Sequence, residues 1–490
     1  MNKPNSSLRR KLPGISALCL ALGVAGLAGC AQLPDLPQPA TLKPPAAFNT
    51  AASLPASDKE AWPSDNWWTN YGDPQLNALI DDALKDSPGM AIASARLAQA
   101  QALRQVAAAP LYPQVNATGS VTKSRMSYDY LTPANMSPHG WPAYGQTQLN
   151  LDWEIDFWGK HRAELAAATS QLKASQAEYA QVRLMLSATL ASDYAKLAEL
   201  FAQRDTAQHS VDIRRKSVEL VAQRQANGLE TSGALEEAKS RLATAEGNLM
   251  SVDEHIGLQR HLLAALMGEG PDRGLSIQRP SLKLEQVAGL PETLPVDLLG
   301  RRPDIVAARE MAEASAQQVK AKKAAFYPNV NLTGMLGLQS LGLNMLLKSG
   351  SVMGAVGPAV TLPIFTGGQL RGELRSAAAA YDQSVALYNA TLTAALREVA
   401  DAWLSKEALA GQLEKAKEAV SAADAAYVVA QNRYKGGLAN YLEVLQAEDT
   451  LLASQDSLTG LQSRAASLDI ALKRALGGGY QQSAQSHNKA

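Results

Sequence analysis

The residues that most often carry chemistry are present, but their spacing is wrong for it. The chain of 490 residues has six histidines and two cysteines. His255 and His261 lie six positions apart on a helical run, whereas a zinc-binding helix places its histidines at i and i+4 with a glutamate beside the first. Gly268-Glu269-Gly270 begins like a dinucleotide loop. It follows a helical pattern and precedes Pro271, whereas that loop follows a strand and opens a helix. No phosphate-cradling loop and no nucleophile elbow occurs. Lys plus Arg and Asp plus Glu both total 46, so charge balance gives no case for nucleic acid. The expectation is no catalysis, no metal and no cofactor.

The one residue marked for covalent chemistry is Cys30. Lys3, Arg9, Arg10 and Lys11 precede an apolar stretch from Leu12 to Leu27, the pattern of an export signal. The stretch ends Leu27-Ala28-Gly29-Cys30, which resembles a bacterial lipoprotein box. That resemblance implies cleavage before Cys30 and acylation of its thiol and new amine. A plain signal peptide, or a short anchor that keeps both cysteines, is the alternative. On the lipoprotein reading residues 1–29 are removed, Cys19 goes with them, and the mature chain has no free thiol. Ala31 after the cysteine is similar to the sorting position of lipoproteins sent to the outer membrane. No later run is apolar for the roughly 18 residues that a membrane-spanning helix needs.

The elements that would position any site come in two copies. Trp153–Gly268 and Leu362–Gly477 align at a constant shift of 209 positions without a gap. Gly159 falls on Gly368, Arg162 on Arg371, Glu164 on Glu373, Tyr179 on Tyr388, Arg224 on Arg433, Gly228 on Gly437 and Ala238 on Ala447. Upstream, Tyr112-Pro113-Gln114-Val115-Asn116 recurs as Tyr327-Pro328-Asn329-Val330-Asn331. Each copy is therefore one structural unit.

Each copy opens on residues that alternate. Thr147, Leu149, Leu151, Trp153 and Ile155 fall on one side of a strand, and Gln146, Gln148, Asn150, Asp152, Glu154 and Asp156 on the other. Val330, Leu332, Gly334 and Leu336, then Val352, Val356, Val360, Leu362 and Ile364, repeat the pattern more weakly. An isolated hairpin is unstable in water. Four strands per chain, apolar outside and polar inside, point to a barrel closed by several chains; a half-buried sheet on a soluble domain is the alternative. Helical runs follow. From Gly159 to about Asn227 no proline interrupts nearly seventy residues, roughly 100 Å of helix. Gly228 ends it and Thr231-Ser232 begins a return helix to about Met267, with Glu236 and Glu237 near its start. The helical run from Gly72 to Ala109, broken or kinked at Pro88-Gly89, adds a similar length. Asp297–Phe326 and Tyr441–Leu476 stand in the same relation to Gly368–Lys435. Two short helices stacked beside one long helix, twice, is the arithmetic of a helical barrel.

These stretches resemble the bacterial outer-membrane factor family, in particular the TolC/OprM-like, NodT-type efflux lipoproteins. The resemblance rests on Trp67-Trp68…Asp73-Pro74-Gln75-Leu76, Trp153-Glu154-Ile155-Asp156-Phe157-Trp158-Gly159 and Arg301-Arg302-Pro303-Asp304-Ile305. It continues through Arg433-Tyr434…Gly437…Tyr441-Leu442…Val444-Leu445…Ala447 and Leu476-Gly477-Gly478-Gly479-Tyr480, spanning nearly the whole mature chain in order. It implies an α+β, mostly α fold, internally duplicated. A trimeric transmembrane β-barrel with four strands per protomer would continue into a long periplasmic α-helical barrel. The implied segments are a signal peptide (1–29), a lipidated Cys30 with Pro-rich tether (30–66), a first repeat (67–268), a connector (269–296), a second repeat (297–477) and a polar tail (478–490).

The same resemblance implies a passive exit channel for drugs and toxic small molecules in the outer membrane of a Gram-negative bacterium. Its implied partners are two further copies of the chain, a periplasmic adaptor, an inner-membrane pump and outer-membrane lipid. Gly228, Leu229, Gly437 and Leu438 match the adaptor-docking tip. Leu442 and Gln446 match positions that constrict the closed pore, although the family commonly has an acid where Gln446 stands. Glu443 either gates with them or belongs to a capping box with Asn440. Asp152, Glu154 and Asp156 either line the barrel lumen or are simply solvated. Arg301, Arg302 and Asp304 read as charge partners at a helix start. A pore-less lipoprotein bridging envelope layers through a coiled coil is the reading of a different class.

Overall fold

A computed structural model describes residues 33–44, 47–50, 52–54, 56–57, 62–127, 134–136, 138–283, 290–291 and 294–482. Cys30, the expected signal segment and residues 483–490 lie outside the described residues. In chain order the elements are β1 (Ala56–Ser57), α1 (Pro74–Asp86), α2 (Pro88–Ala108), β2 (Gln114–Lys123), β3 (Ala143–Glu154), α3 (Lys160–Ala226), α4 (Ser232–Leu266) and α5 (Pro271–Leu275). They continue with β4 (Leu290–Pro291), α6 (Leu294–Arg301), α7 (Pro303–Ala324), β5 (Asn329–Leu341), β6 (Val352–Thr361), α8 (Gln369–Lys435) and α9 (Tyr441–Ala475). Both long helices, α3 and α8, have 67 residues, and both return helices, α4 and α9, have 35. The duplication is thus exact in helix length.

The chain divides into two units: residues 1–41, 100–172 and 310–386 in one, and 42–99, 173–309 and 387–490 in the other. The first holds a four-stranded antiparallel sheet in the order β2-β3-β5-β6. The hairpins of the two copies therefore join through β3 and β5 into one sheet. Register puts Val115 opposite Leu151, Ala117 opposite Leu149, Leu149 opposite Leu336, Trp153 opposite Leu332, and Val330 opposite Val360. Directly opposed residues share a face, so the apolar sets of all four strands merge. That face is exposed: Val115, Val121, Leu149, Leu336, Val352, Val356 and Val360 all stand in the open. On the other face amides chain together, Gln146 Nε2 donating to Gln148 Oε1 at 2.6 Å and Gln148 Nε2 to Asn150 Oδ1 at 2.9 Å.

Two features differ from the sequence expectation here. β3 ends at Glu154, so Asp156 lies beyond the ladder and not on its polar face. The Pro-rich tether is attached: the Ala40 N–H donates to Asp382 Oδ1 at 2.9 Å.

In the second unit, Trp67, Tyr71, Leu76, Leu79 and Ile80 pack on Leu190, Tyr194 and Leu197 of α3 and Leu263 of α4. A second cluster joins Leu298 and Ile305 to Leu392 and Val399 of α8 and Leu472 of α9. Tether residues reach this unit too, with Leu54 inside the second cluster and the Lys43 N–H bonded to Asn389 Oδ1 at 2.9 Å. The connector also packs: Ile277 is in the first cluster and the Gln278 N–H donates to Gln75 Oε1 at 2.9 Å. Asp73 caps α1 through the Gln75 N–H at 3.0 Å and accepts from Tyr194 Oη at 2.8 Å. Ser87 separates α1 from α2, the break expected at Pro88-Gly89. The run expected over 297–326 is likewise two helices, because Pro303 has no N–H to carry α6 into α7.

The polar tail does not begin at Gly478. Gly477, Gly478 and Gly479 all take positive φ, at 88°, 56° and 83°. A Cβ on them would strike the Arg301 carbonyl, the Leu184 side chain and the Ser64 backbone, respectively. The chain stays attached as far as Gln482, whose N–H donates to the Gly300 carbonyl at 3.0 Å.

Arg302 holds this corner together, as its charge pattern suggested. It is buried and donates to Asp304 at 2.6 and 3.0 Å, to Glu398 at 3.0 Å and to the Ala475 carbonyl at 3.1 Å. Replacing one member of such a buried group leaves the others charged and unmatched, at a cost of about 3–5 kcal/mol. Arg302→Met is therefore expected to lower the thermal unfolding midpoint followed by circular dichroism. A midpoint equal to wild type would show that the corner is held by packing alone.

Candidate docking tip and channel constriction

The two helical hairpins turn in the same way. At the first turn the Leu229 N–H reaches the Arg224 carbonyl at 2.8 Å and the Gly228 N–H reaches Gln225 at 3.0 Å. At the second, Leu438 bonds Arg433 at 2.8 Å and Gly437 bonds Tyr434 at 3.1 Å. These are Schellman closures, which need a left-handed residue; Gly228 and Gly437 supply it at φ 71° and 73°. The apolar residue that follows usually folds back onto its own helix. Here Leu229 and Leu438 remain 64% and 74% exposed. Both turns thus present an uncovered leucine.

Behind the turns the two hairpins are packed on each other. Val221 and Ala238 of the first meet Tyr434, Tyr441, Val444 and Leu445 of the second. The Arg224 guanidinium lies 4.4 Å from the centre of the Tyr434 ring and donates to the Tyr434 carbonyl at 3.1 Å. The Tyr434 hydroxyl donates to Glu230 at 2.8 Å. Burial, then the Glu230 carboxylate, push the Tyr434 phenol up to about 12, so it remains a donor throughout the physiological range. Thr231 caps α4, its Oγ1 accepting from the Ala234 N–H at 3.1 Å. Glu236 and Glu237 pair with Lys239 at 2.8 Å and Arg241 at 3.2 Å instead of serving the first turn.

On α9, Leu442 is 56% exposed and Gln446, one turn on, is also exposed, while Tyr441, Val444 and Leu445 face inward. Leu442 and Gln446 therefore share the face turned away from the hairpin core. Glu443 forms only half of a capping box. Its N–H donates to Asn440 Oδ1 at 3.1 Å, but its carboxylate receives Arg433 Nη1 at 3.1 Å. Arg433 also donates to the Leu438 carbonyl at 3.3 Å.

The strand acids separate. Asp152 is exposed on the polar face between Gln114 and Thr333. Glu154 meets Lys160 at 3.3 Å and the His161 ring at 2.9 Å. Asp156 serves the start of α3, accepting from the Arg162 N–H at 2.9 Å and from Arg162 Nε at 3.2 Å. No group of His, Cys, Asp or Glu that could hold a metal ion occurs among the described residues. His255 and His261 are exposed on α4. No described helix is long and apolar enough to cross a membrane.

The residues whose role sequence reasoning missed are the links between hairpins, Arg224, Glu230 and Tyr434, and the Arg433 that braces the second turn. One signal was available, since Arg224 and Arg433 coincide under the 209-residue shift.

A duplicated pair of long helical hairpins joined to a sheet with an exposed apolar face defines a class of membrane channel. The family model described as outer membrane efflux protein matches residues 79–269 and 294–478, and the chain belongs to that family. The multidrug resistance outer membrane protein MdtP of Escherichia coli is 31% identical over 472 residues, 95% of this chain and 96% of that protein. The fusaric acid resistance protein FusA of Burkholderia cepacia is 35% identical over 359 residues, 72% of this chain and 67% of that protein. The crystal structure of the outer membrane protein VceC of Vibrio cholerae superposes with a TM-score of 0.82 at 47% identity, covering 86% of this chain and all of that one. The outer-membrane channel OprN gives 0.81 at 27% identity. The expected fold and the expected outer-membrane efflux channel both hold.

Arg224→Ala removes a cation–π contact and a hydrogen bond, together worth about 1–2 kcal/mol. Hydrogen exchange should then quicken at both turns, because the lost contacts join the two hairpins. Faster exchange confined to the first turn would show that the hairpins are not coupled through Arg224.

Proposed function

We propose that the protein is the exit duct of a tripartite efflux pump, assembled as a homotrimer and conducting small toxic molecules passively outward. The observation that carries this reading is the sheet. Its exposed apolar face suits lipid, and β2 and β6, ten residues each, are its two edges. Hydrocarbon tolerates no unpaired backbone edge, and pairing β6 of one copy with β2 of the next closes a barrel without any other partner. The polar face, with its amide chain and Asp152, then lines the lumen. Glu154 and Asp156, engaged by Lys160, His161 and Arg162, contribute less to it.

Acylation of Cys30 would add a second membrane anchor, and the Ala40 and Lys43 contacts would hold the tether that carries it. Leu229 and Leu438, each set out from its turn by a left-handed glycine, are the surfaces offered to a periplasmic adaptor. That adaptor would connect the duct to an inner-membrane pump. Leu442 and Gln446 form the constriction, where three copies bring their exposed α9 faces together. With Glu443 paired to Arg433, the ring there is apolar and amide in character. The names of MdtP and FusA point to drugs and small organic acids as the class of cargo.

Two measurements test the reading. Leu442→Ser should raise single-channel conductance in planar bilayers several-fold, since a smaller polar side chain both widens and wets the ring; wild-type conductance would remove Leu442 from the constriction. A photocrosslinker at Leu438 should capture a periplasmic adaptor in cells. Repeated capture of nothing, with the protein in the outer membrane and the pump expressed, would mean that the tip is not the docking surface.

A further inference from the structure

Three carboxylates of the helical unit are almost completely buried, and they are not treated alike. Asp73 accepts from Tyr194 at 2.8 Å, from the Ser281 N–H at 2.8 Å and from the Gln75 N–H at 3.0 Å. Asp469 has Lys406 at 3.0 Å, Lys473 at 3.1 Å and the Tyr71 hydroxyl at 2.9 Å. Glu448 on α9, 1% exposed, has a single close donor, the Ser217 hydroxyl of α3 at 3.0 Å. Its nearest cation is Arg214 of α3, whose Nε stands 3.6 Å away and is itself buried without a hydrogen-bond partner. That guanidinium is turned to the neighbouring carboxylate, donating from Nη2 to Asp449 Oδ1 at 3.1 Å.

A buried carboxylate so poorly matched is costly when charged. Every element around it brings a polar or charged group. α3 brings Arg214 and Ser217, and α4 brings Arg241, which holds Asp449 at 2.8 Å and Glu237 at 3.2 Å. α8 brings the Tyr427 phenol, and α9 itself brings Tyr441 and Asp449. Burial pushes the Glu448 carboxyl above its ordinary 4.5, and Asp449 adds to the rise. Ser217, Arg214 and Arg241 oppose it without cancelling it.

The duplication shows that this arrangement is particular to one hairpin contact. Under the 209-residue shift Arg214 falls on Ala423, Ser217 on Ala426, and Glu448 on Lys239. The equivalent positions on α8 and α4 therefore carry none of these groups.

Glu448 lies on the back of α9, six residues beyond Leu442 and two beyond Gln446. We propose that Glu448, with Arg214, Ser217 and Asp449, is a proton-tightened clasp that holds α9 against α3 and so sets how readily the duct opens at Leu442. The proposal rests on the duct reading and on Leu442 as its constriction. Its sign follows from linkage. A carboxyl raised by burial binds its proton more tightly in the packed arrangement than in an exposed one. The packed arrangement is thus most favoured below pH 4.5 and loses that advantage as pH rises through the raised value. Acid closes the duct, and neutral pH loosens it. Glu448 is a positioning residue, acting on the constriction through α9.

The test is the conductance of the full-length protein in planar bilayers at about pH 7.5 and about pH 5. Each pH unit between the packed and exposed carboxyl is worth about tenfold in the closed-to-open ratio. Wild type should therefore fall several-fold on acidification. Glu448→Gln, neutral at every pH, should show the low acid level at both and no step. Ser217→Ala, a milder change, removes a bond to the charged form and should move the step to higher pH with folding intact. A wild-type step that survives Glu448→Gln, or a midpoint unmoved by Ser217→Ala, overturns the clasp, as does a wild type that conducts with no step. Absence of conductance from both wild type and Leu442→Ser would instead remove the duct reading, and the clasp with it.

Discussion

The outward-facing N–H and C=O groups of β2 and β6 impose a condition that no side chain can meet. Both strands are edges of the sheet, and the face between them is apolar and open. In water such a sheet invites uncontrolled strand addition; in lipid its edges must be paired. A single four-stranded sheet is too narrow to close on itself, since the smallest spanning barrels have about eight strands. The proposed closure through further copies would satisfy the edges, would cover nothing apolar that lipid does not already cover, and would place the amide chain of Gln146, Gln148 and Asn150 inside. On the proposed reading, a polar lumen and an oligomer would both follow from the same unpaired backbone.

Duplication supplied equal helices, and later divergence made them unequal in function. Identical lengths for α3 and α8, and for α4 and α9, follow from glycines at the same place in each turn. Side chains behind the turns then differ. Tyr434 of the second hairpin reaches across to Glu230 of the first, while the residue matching Tyr434 under the shift is Gln225. Asp156, which anchors the start of α3, is matched by Phe365, which is exposed. Quasi-symmetry is thus kept in the backbone and in Arg224 and Arg433, and lost at side chains such as Tyr434 and Asp156 that fix one particular contact.

This division also explains what could be read from the chain alone. Helix ends at Gly228 and Gly437 were legible because a Schellman closure depends on one residue at one position. The strand faces were legible because period two is local. The merging of two hairpins into one sheet was not, since the β3–β5 pairing joins residues some 180 positions apart and no local pattern encodes it. Asp156 was misplaced because alternation continues through it, although its carboxylate turns back to the first amides of α3. The polar tail was expected from residue 478; the three glycines instead sit where the backbone of residues 64 and 301 and the Leu184 side chain come too close for a Cβ. Leu442 and Gln446 were located through family resemblance, and the structure adds only that they share an exposed face.

Buried charge is matched unevenly through the helical unit. Arg302, Asp73 and Asp469 each have three or more close partners, two of them from distant parts of the chain, so a displacement breaks several matched contacts at once. Such groups specify one arrangement strongly. Near the turns the matching is deliberately poorer: Glu448 keeps one hydroxyl at close range, Arg214 leaves its Nε unbonded, and Asp449, which Arg214 and Arg241 share, is half exposed. Less is lost there when helices separate. On the duct reading, this uneven satisfaction of buried charge is what would keep the wall rigid and let the proposed constriction move.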